Sequence, residues 1–296
     1  MSESCCSVVI PTRNRVSLLP RCLDCLAKQD LPAGAIEIIV VDDDSTDGTG
    51  ERAQAAAATM PFKLRVLRGG GRGPAAARNL GWRAAQAPIV LFTDDDCEPS
   101  INWAQTLVDF LDANPDVGGA GGEIKKLRDS LAARFTDDIR CMEHPGDPRD
   151  VDYLVSANAS YRREVLESVG GFNELFPCAG GEDPDLSIRV RALGVKLARV
   201  QEAVVLHNHP TSLAGIYCMH HRYGRGEFGL LRAGHVKTND RGTVKRLLKE
   251  VRISIAVYRR RLDLSITDRL LFCSLSWVKC YALFAGFRSQ ARQAVR

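Results

Sequence analysis

Short apolar runs alternate with amphipathic stretches through the first hundred residues, and this alternation restricts the fold of the chain most. The apolar runs are rich in β-branched residues and lie at 7–10, 37–41, 63–67 and 89–93. Helical patterns with one apolar face occur at about 16–28, 47–59, 74–86 and 102–113. Runs that are apolar throughout are typical of parallel strands buried on both faces. The pattern predicts an α/β fold with a doubly wound, mostly parallel sheet.

Acidic residues follow two of these predicted strands. Three consecutive aspartates occur at 42–44 and again at 94–96. Such sheets bind ligands at the carboxyl ends of their strands, and clustered carboxylates repel one another unless a cation or hydrogen-bond donors offset them. The alternative is helix capping, which explains the first cluster better than the second, because residues 97–99 separate the second from the next helix. A functional site at this edge is the preferred interpretation.

Two further polar groups occur later in the chain. Glu182 and Asp183 follow a glycine pair and precede a helical pattern that ends near residue 193. His207 follows an apolar strand predicted at 203–206. Helix capping by the acids and a purely structural histidine are the alternatives.

The order of these groups resembles that of the family 2 glycosyltransferases of the GT-A fold. The matching stretches are VVIPTRN, VVDDDSTDGT, GPAAARNLGW, LFTDDDCEP and GGEDPDLSIRVRALG. They extend from about Ser7 to His207, roughly two-thirds of the chain. The resemblance implies a nucleotide-diphospho-sugar transferase fold. It also implies transfer of a sugar from a nucleotide-diphosphate donor to an acceptor hydroxyl by a single inverting displacement.

The resemblance also implies a nucleotide pocket, and a carboxylate with backbone groups suits the edge of uracil, so a UDP-sugar is the favoured donor. The implied nucleotide-binding residues are Pro11, Thr12, Arg13, Asn14, Asp42, Asp43, Arg78, Asp94 and Asp95. A surface charge on a helix is the alternative for Arg78, and a structural role at the end of the strand is the alternative for Asp42. The glycines at 69–73 allow a backbone nest that binds an anion.

The remaining implied roles concern a metal ion and a base. Asp94 and Asp96 match the DxD motif of the family, with Asp96 as the direct ligand of Mg²⁺ or Mn²⁺ and His207 completing the metal site. The cation would stabilise the departing nucleoside diphosphate. Glu182 and Asp183 match the catalytic acidic pair of the family, and Asp183, the second member, matches the general base that takes the proton of the acceptor hydroxyl.

One stretch departs from the family members that build long polymers. Those enzymes carry a Q-x-x-R-W motif and several transmembrane helices, whereas residues 220–226 here read HHRYGRG. We therefore expect a non-processive enzyme of polysaccharide biosynthesis that adds one sugar to a lipid-linked or glycan acceptor. The alternatives are a nucleotidyltransferase, for which Arg13 and Arg15 are poor substitutes for a glycine-rich loop, and an inactive membrane-docked scaffold.

Charge divides the chain in two. Residues 1–210 carry 23 basic and 31 acidic side chains, a net of −8, and residues 211–296 carry 17 and 5, a net of +12. We expect a catalytic domain at 1–210 and a basic helical extension at 211–296, with helices at about 211–232, 241–260 and 265–288. The helix at 241–260 is basic and amphipathic, which is typical of attachment to an anionic membrane surface. A solvated face packed on the catalytic domain is the alternative. No recognised module predicts nucleic-acid binding.

The expected location is cytoplasmic, peripheral on the inner face of the cell membrane. The opening residues, MSESCCSVVIPTRNR, lack the basic and apolar regions of a secretory signal. The apolar stretch at 270–287 is long enough to span a bilayer, re-enter it or form a core helix, and interfacial attachment is preferred. The ten cysteines are scattered, and Cys22 and Cys25 on one predicted helix are read as reduced core thiols.

Overall fold

A computed structural model describes residues 5–32, 34–143, 148–176, 178–235, 251–253, 255–256 and 258–294. The described residues form two compact units. The first lies within Met1–Leu127, Pro145–Pro177 and Glu182–Asn208, and the second within Arg128–His144, Cys178–Gly181 and His209–Arg296. The predicted division of the chain at residue 210 stays a prediction.

The first unit contains one eight-stranded sheet. Its strands are β1 (Cys6–Thr12), β2 (Ile36–Asp42), β3 (Lys63–Arg68), β4 (Ile89–Thr93), β5 (Cys97–Pro99), β6 (Val117–Lys126), β7 (Asn158–Arg162) and β8 (Lys196–His207). The spatial order is β3-β2-β1-β4-β7-β6-β8-β5. The four strands predicted from the first hundred residues are all confirmed, and β8 includes the strand predicted at 203–206.

The two halves of the sheet differ in strand direction. β3, β2, β1 and β4 run parallel, as predicted for the alternating half of the sequence. β7 runs antiparallel to both β4 and β6, β6 pairs with β8 in parallel, and β5 is antiparallel to β8. The sheet is therefore mixed. Because β2, β1 and β4 are parallel neighbours, their carboxyl ends lie side by side at one edge.

Nine helices are bounded within the described residues. They are α1 (Leu19–Leu26), α2 (Thr49–Ala56), α3 (Pro74–Ala84), α4 (Trp103–Ala113), α5 (Leu131–Glu143), α6 (Arg163–Val169), α7 (Glu182–Ala192), α8 (Leu213–Arg232) and α9 (Ile266–Ala294). The first four confirm the predicted amphipathic stretches, and α8 and α9 confirm two of the three predicted in the extension. Residues 236–250 lie outside the description, and so does most of the predicted helix at 241–260.

Apolar side chains cover both faces of the sheet in the first unit. On one face, Val8 and Ile38 pack with Trp103 of α4 in one buried cluster. On the other, Val9 and Ile39 pack with Trp82 of α3 in a second cluster. Alternate residues of β1 and β2 thus enter different cores, as expected for strands buried on both sides. Trp82 and Trp103 are both buried core residues.

The second unit is helical. Phe135 of α5, Ile216 of α8 and Phe272 of α9 belong to its buried apolar cluster. A Cβ added at Gly224 of α8 would overlap the carbonyl oxygen of Leu283 on α9. Glycine therefore lets these two helices approach with their backbones in contact.

Candidate active site

The loop after β1 is bonded to the loop after β2. Asn14 donates its backbone N–H to the Ser45 Oγ at 2.8 Å, and its Oδ1 accepts the N–H of Thr46 at 2.8 Å. Asn14 has a φ of 53°, a left-handed conformation that asparagine tolerates better than most residues. Pro11 and Thr12 are buried at the end of β1, whereas Arg13 and Asn14 are exposed. The structure therefore places these four predicted nucleotide residues beside those that follow β2.

The carboxylate of Asp43 is bound by the start of α3. It accepts the backbone N–H groups of Arg72 at 3.0 Å and Gly73 at 2.8 Å. The Arg13 guanidinium lies 4.0 Å from the same carboxylate. Gly73 has a φ of 94°, so glycine is required for this approach. The glycine-rich stretch does form a nest for an anion, and in this structure the anion is the side chain of Asp43.

Asp42 has a more local environment. Its Oδ1 accepts the backbone N–H of Ser45 at 3.1 Å. A Cβ added at Gly50 of α2 would lie 2.5 Å from its Oδ2, so the carboxylate is packed against that helix. The contacts of Asp42 are those of a residue that orders the turn after β2.

The aspartates after β4 have a different environment. Burial, together with the charge of Asp94, raises the pKa of Asp95 to about 6. Burial and the charges of Asp94 and Asp95 raise the pKa of Asp96 to about 7. Arg15 lies 3.7 Å from the Asp95 carboxylate. Because these three carboxylates repel one another, a cation near them is favoured.

Arg78 of α3 connects two of the predicted acidic motifs. It is almost fully buried, and it donates to Asp94 Oδ1 at 2.8 Å and to Glu182 Oε1 at 3.2 Å. Burial lowers its pKa, but the charges of Asp94, Asp183 and Glu182 outweigh burial and raise it. The alternative of a surface charge on the helix is therefore wrong. Arg78 holds the end of β4 to the start of α7.

Asn79, the next residue, braces a loop. Its Oδ1 accepts the Phe172 N–H and the Trp82 Nε1–H, at 2.8 and 2.9 Å. Its Nδ2 donates to the Phe172 carbonyl and to Glu174 Oε1, both at 2.8 Å. These bonds fix the turn that follows α6.

Asp183 lies in the first turn of α7, and its two carboxylate oxygens have different environments. Oδ2 accepts the backbone N–H of Ser156 at 3.1 Å. Oδ1 is buried, and no described residue forms a hydrogen bond with it. Burial raises the pKa of Asp183, although Arg78 and Ser156 oppose the shift. By contrast, Asp185 is paired with Arg189 at 2.7 Å, so the neighbouring acid of the motif anchors the helix.

Asp96 and His207 form the candidate metal group. His207 Nε2 lies 3.4 Å from Asp96 Oδ1, because β5 and β8 pair with Cys97 opposite His207. Two ligands bound to one cation at a right angle are about 3.0 Å apart when each is about 2.1 Å from it. The carboxylate and imidazole therefore fit a shared divalent cation.

The described residues add Cys97 to this group, with the three ligand atoms within 4.8 Å of one another. Sequence reasoning did not select Cys97, since only the pairing of β5 with β8 brings it to His207. The thiol is fully buried, burial raises its pKa, and sulfur is a poor ligand for a hard cation. Asp94, the other acid of the predicted metal set, lies outside this group, and its Oδ1 is bonded to Arg78.

Comparison with known proteins places the chain among enzymes that transfer sugars. The model of glycosyl transferase family 2 matches residues 7–170, and the model of the N-terminal domain of galactosyltransferase matches residues 140–220. The glycosyltransferase AglE of Haloferax volcanii is 27% identical over 203 residues, which are 68% of this chain and 66% of AglE. The pre-mycofactocin glycosyltransferase of Mycobacterium tuberculosis is 31% identical over 70% of this chain and 43% of that enzyme. The chain thus spans less than two-thirds of the length of these relatives.

Among solved structures, a mannosyltransferase has a similar fold. PcManGT from Pyrobaculum calidifontis, in complex with GDP-Man and Mn²⁺, superposes with a TM-score of 0.69 at 21% identity. The match covers 98% of this chain and 88% of PcManGT, so it includes the helical extension. This likeness confirms the predicted GT-A fold with C-terminal helices.

Proposed function

Because the chain belongs to the family 2 glycosyltransferases, we propose that it transfers one sugar from a nucleoside-diphosphate donor to an acceptor hydroxyl with inversion. The observation that carries the proposal is the buried Asp183 Oδ1, which no described residue bonds. A buried carboxylate oxygen without a partner is costly, so it calls for a donor from a ligand. The acceptor hydroxyl supplies such a donor.

Asp183 is the general base of this reaction. Its Oδ1 takes the proton of the acceptor hydroxyl while that oxygen bonds to the anomeric carbon and the bond from this carbon to the diphosphate breaks. Ser156 holds Oδ2, which directs Oδ1 to the acceptor. A raised pKa makes the carboxylate a stronger base than a solvated aspartate. The rate of transfer should therefore fall on the acid side at a pH above the usual aspartate range.

Asp96 and His207 would hold Mn²⁺ or Mg²⁺, with Asp94 contributing as the first acid of the DxD motif. Such a cation stabilises the negative charge of the leaving nucleoside diphosphate. The Asp94 carboxylate is oriented by Arg78, and Glu182 accepts from the same guanidinium. Arg78 therefore positions both Asp94, on the donor side, and Glu182, which precedes the base Asp183.

The donor nucleotide is assigned to the loops after β1 and β2, where Arg13, Asn14, Asp42 and Asp43 lie together. A UDP-sugar is the proposed donor, since a carboxylate can accept the N–H of uracil. GDP-mannose, which PcManGT binds, is the competing donor. A lipid-linked or glycan acceptor, a cytoplasmic location and a role in polysaccharide synthesis complete the proposal.

The direct test is release of nucleoside diphosphate from a panel of nucleotide sugars, with Mn²⁺ or Mg²⁺ and a set of candidate acceptors. We expect UDP-sugars to be consumed, and Asp183→Asn to reduce transfer by about 10³-fold or more. Binding of UDP and Mn²⁺, measured by calorimetry, should stay within about twofold in this variant. Asp152→Asn, at an exposed aspartate, is the matched control.

Two outcomes would contradict the proposal. Full transfer by Asp183→Asn would remove the assignment of the base. Release of pyrophosphate from a nucleoside triphosphate and a sugar phosphate would instead indicate a nucleotidyltransferase, and UDP binding without turnover of any donor would indicate an inactive scaffold.

A further inference from the structure

Helix α9 carries a continuous apolar stripe on its exposed side. The stripe consists of five large side chains, each between 48% and 65% exposed: Ile266, Leu270, Trp277, Tyr281 and Phe284. At about 100° per residue these positions fall within a sector of about 60°, and they extend along roughly 27 Å of helix. From 266 to 284 the other exposed residues are Thr267, Leu271 and Ser274, so this side of the helix exposes no charged residue.

The opposite side of α9 is buried within its own unit. Phe272, Leu275 and Leu283 are buried there, and the charged Lys279 lies on this side too, 3% exposed. The helix is long and apolar enough to cross a membrane by length and composition, but 39% of its apolar window is buried inside the protein. Because one face of α9 packs inside its own unit, only the opposite face can contact lipid. This arrangement favours a helix that lies along a surface over one that spans a bilayer.

We propose that the α9 stripe, defined by Ile266, Leu270, Trp277, Tyr281 and Phe284, inserts into the interfacial region of an anionic lipid bilayer. Charge favours this occupant, since residues 211–296 carry a net of +12, which anionic lipid attracts and which a second copy of the extension would repel. Arg288, exposed just beyond the stripe, lies over the Phe284 ring at 5.4 Å, where a cation can meet lipid phosphates. Trp and Tyr are the side chains most suited to the bilayer interface.

This inference deepens the proposed function, because it names the face of the extension that contacts the membrane. It rests on that function only in the reason for the contact, which is access to an acceptor carried by lipid. It predicts that an acceptor carried by lipid reaches the enzyme at a surface to which the enzyme is already bound.

Trp277 provides a specific probe. The chain has three tryptophans, and Trp82 and Trp103 are buried. The full-length protein would be mixed with vesicles of phosphatidylglycerol and phosphatidylcholine in equal parts, and with vesicles of phosphatidylcholine alone. We expect flotation with the anionic vesicles, a blue shift of tryptophan emission and quenching by brominated acyl chains. Binding should weaken with added salt.

The variant that tests the stripe is Trp277→Ser with Tyr281→Ser. We expect its affinity for the anionic vesicles to fall by at least about tenfold, since two large apolar side chains no longer leave water. Leu271→Ser is the matched control, because Leu271 is equally exposed but lies about 80° beyond the edge of the stripe. It should change the affinity by less than about threefold. Both variants remove exposed side chains, and circular dichroism would check that they remain folded.

Three results would overturn the inference. The first is that the double variant binds anionic vesicles as tightly as wild type, and the second is that brominated acyl chains do not quench the tryptophan emission of vesicle-bound protein. The third is that wild type forms a dimer in solution and does not bind vesicles, whereas the double variant is a monomer. The proposed function is tested separately. Asp183→Asn should bind vesicles like wild type, and the double variant should still transfer sugar to a water-soluble acceptor.

Discussion

The aspartates at 42–44 begin at the last residue of β2 and those at 94–96 follow β4, yet the two runs differ in what neutralises their charge. In the first run, Asp42 and Asp43 accept three backbone N–H groups, from Ser45, Arg72 and Gly73. Neutral backbone donors from a turn and a helix start supply these hydrogen bonds, and the exposed Arg13 guanidinium lies 4.0 Å from Asp43. The first run is therefore stabilised mainly by the backbone that follows it.

In the second run, burial and mutual repulsion raise the pKa of Asp95 to about 6 and that of Asp96 to about 7. Two arginines oppose this repulsion, Arg78 at Asp94 and Arg15 at Asp95. Identical residues thus make a self-sufficient turn in one place and a site that favours a cation in the other. The difference arises from the donors that the following backbone supplies.

The largest expected effect comes from Asp96→Asn. We expect transfer to fall by about 10³-fold or more, because the variant removes the proposed direct ligand of the cation. Without added metal, the melting temperature should rise, since one of three mutually repelling charges is gone. Mn²⁺ should raise the melting temperature of wild type and leave that of the variant unchanged.

Asp44→Asn makes the same substitution in the first run and serves as its control. Asp44 is exposed, with a φ of 66° that asparagine adopts readily. If Asp96→Asn transferred sugar in a metal-dependent way at nearly the rate of Asp44→Asn, the second run of aspartates would not be the one that binds the cation.

The next effect concerns the ion pairs of the second run. Arg78→Gln leaves Asp94 and the buried Glu182 without their shared cation, and we expect it to lower the free energy of unfolding by about 3–5 kcal/mol. Urea unfolding would measure the change. Arg83→Gln on the same helix breaks a partly exposed pair with Glu174 at 3.6 Å, for which about 1 kcal/mol or less is expected. Equal losses of unfolding free energy in the two variants would mean that the ion pairs of Arg78 with Asp94 and Glu182 stabilise the protein no more than an exposed pair does.

The sequence was informative wherever local pattern decides structure. The strands 63–67 and 89–93 were placed within a residue of β3 and β4. β4, with the sequence IVLFT, is buried throughout, whereas β3, with the sequence KLRVLR, mixes charged and apolar residues at the edge of the sheet. β6, with the sequence VGGAGGEIKK, was missed because its glycines hide the pattern. Those glycines are explained only by packing: a Cβ at Gly122 would overlap the Ala203 carbonyl oxygen of the neighbouring strand.

Site residues were predictable as far as family resemblance reaches. Asp96, His207 and Asp183 were selected from motif order, and the structure brings Asp96 and His207 together. The bonds from Arg72 and Gly73 to Asp43 were not foreseen, because residues 29 or more positions apart pair only once the sheet order is known. The same limit applies to Cys97 opposite His207.

A smaller effect is expected from Asp43→Asn, which tests whether the first run is held by its hydrogen bonds. The amide can accept one of the two N–H groups, but its NH₂ faces the other. We expect a loss of about 1–2 kcal/mol in the free energy of unfolding, measured with urea, together with weaker UDP binding. A stability equal to that of wild type would mean that the loop at 69–73 is held by other contacts.

The smallest effect concerns pH and the exposed Asp47, which closes the first loop. Its Oδ1 is bonded by the Thr49 hydroxyl, and its Oδ2 accepts the Val16 N–H at 3.1 Å. These bonds, that of Thr49 first, lower the pKa of Asp47 from its usual value of 3.8. A lowered pKa stabilises the folded state above pH 3.8, and the contribution is lost as the pH falls through the folded-state value. At pH 7, Asp47→Asn should therefore melt below wild type by no more than about 2 °C. Well below pH 3.8 the difference should vanish, whereas a difference that persists there would assign it to packing instead of the ionised hydrogen bonds.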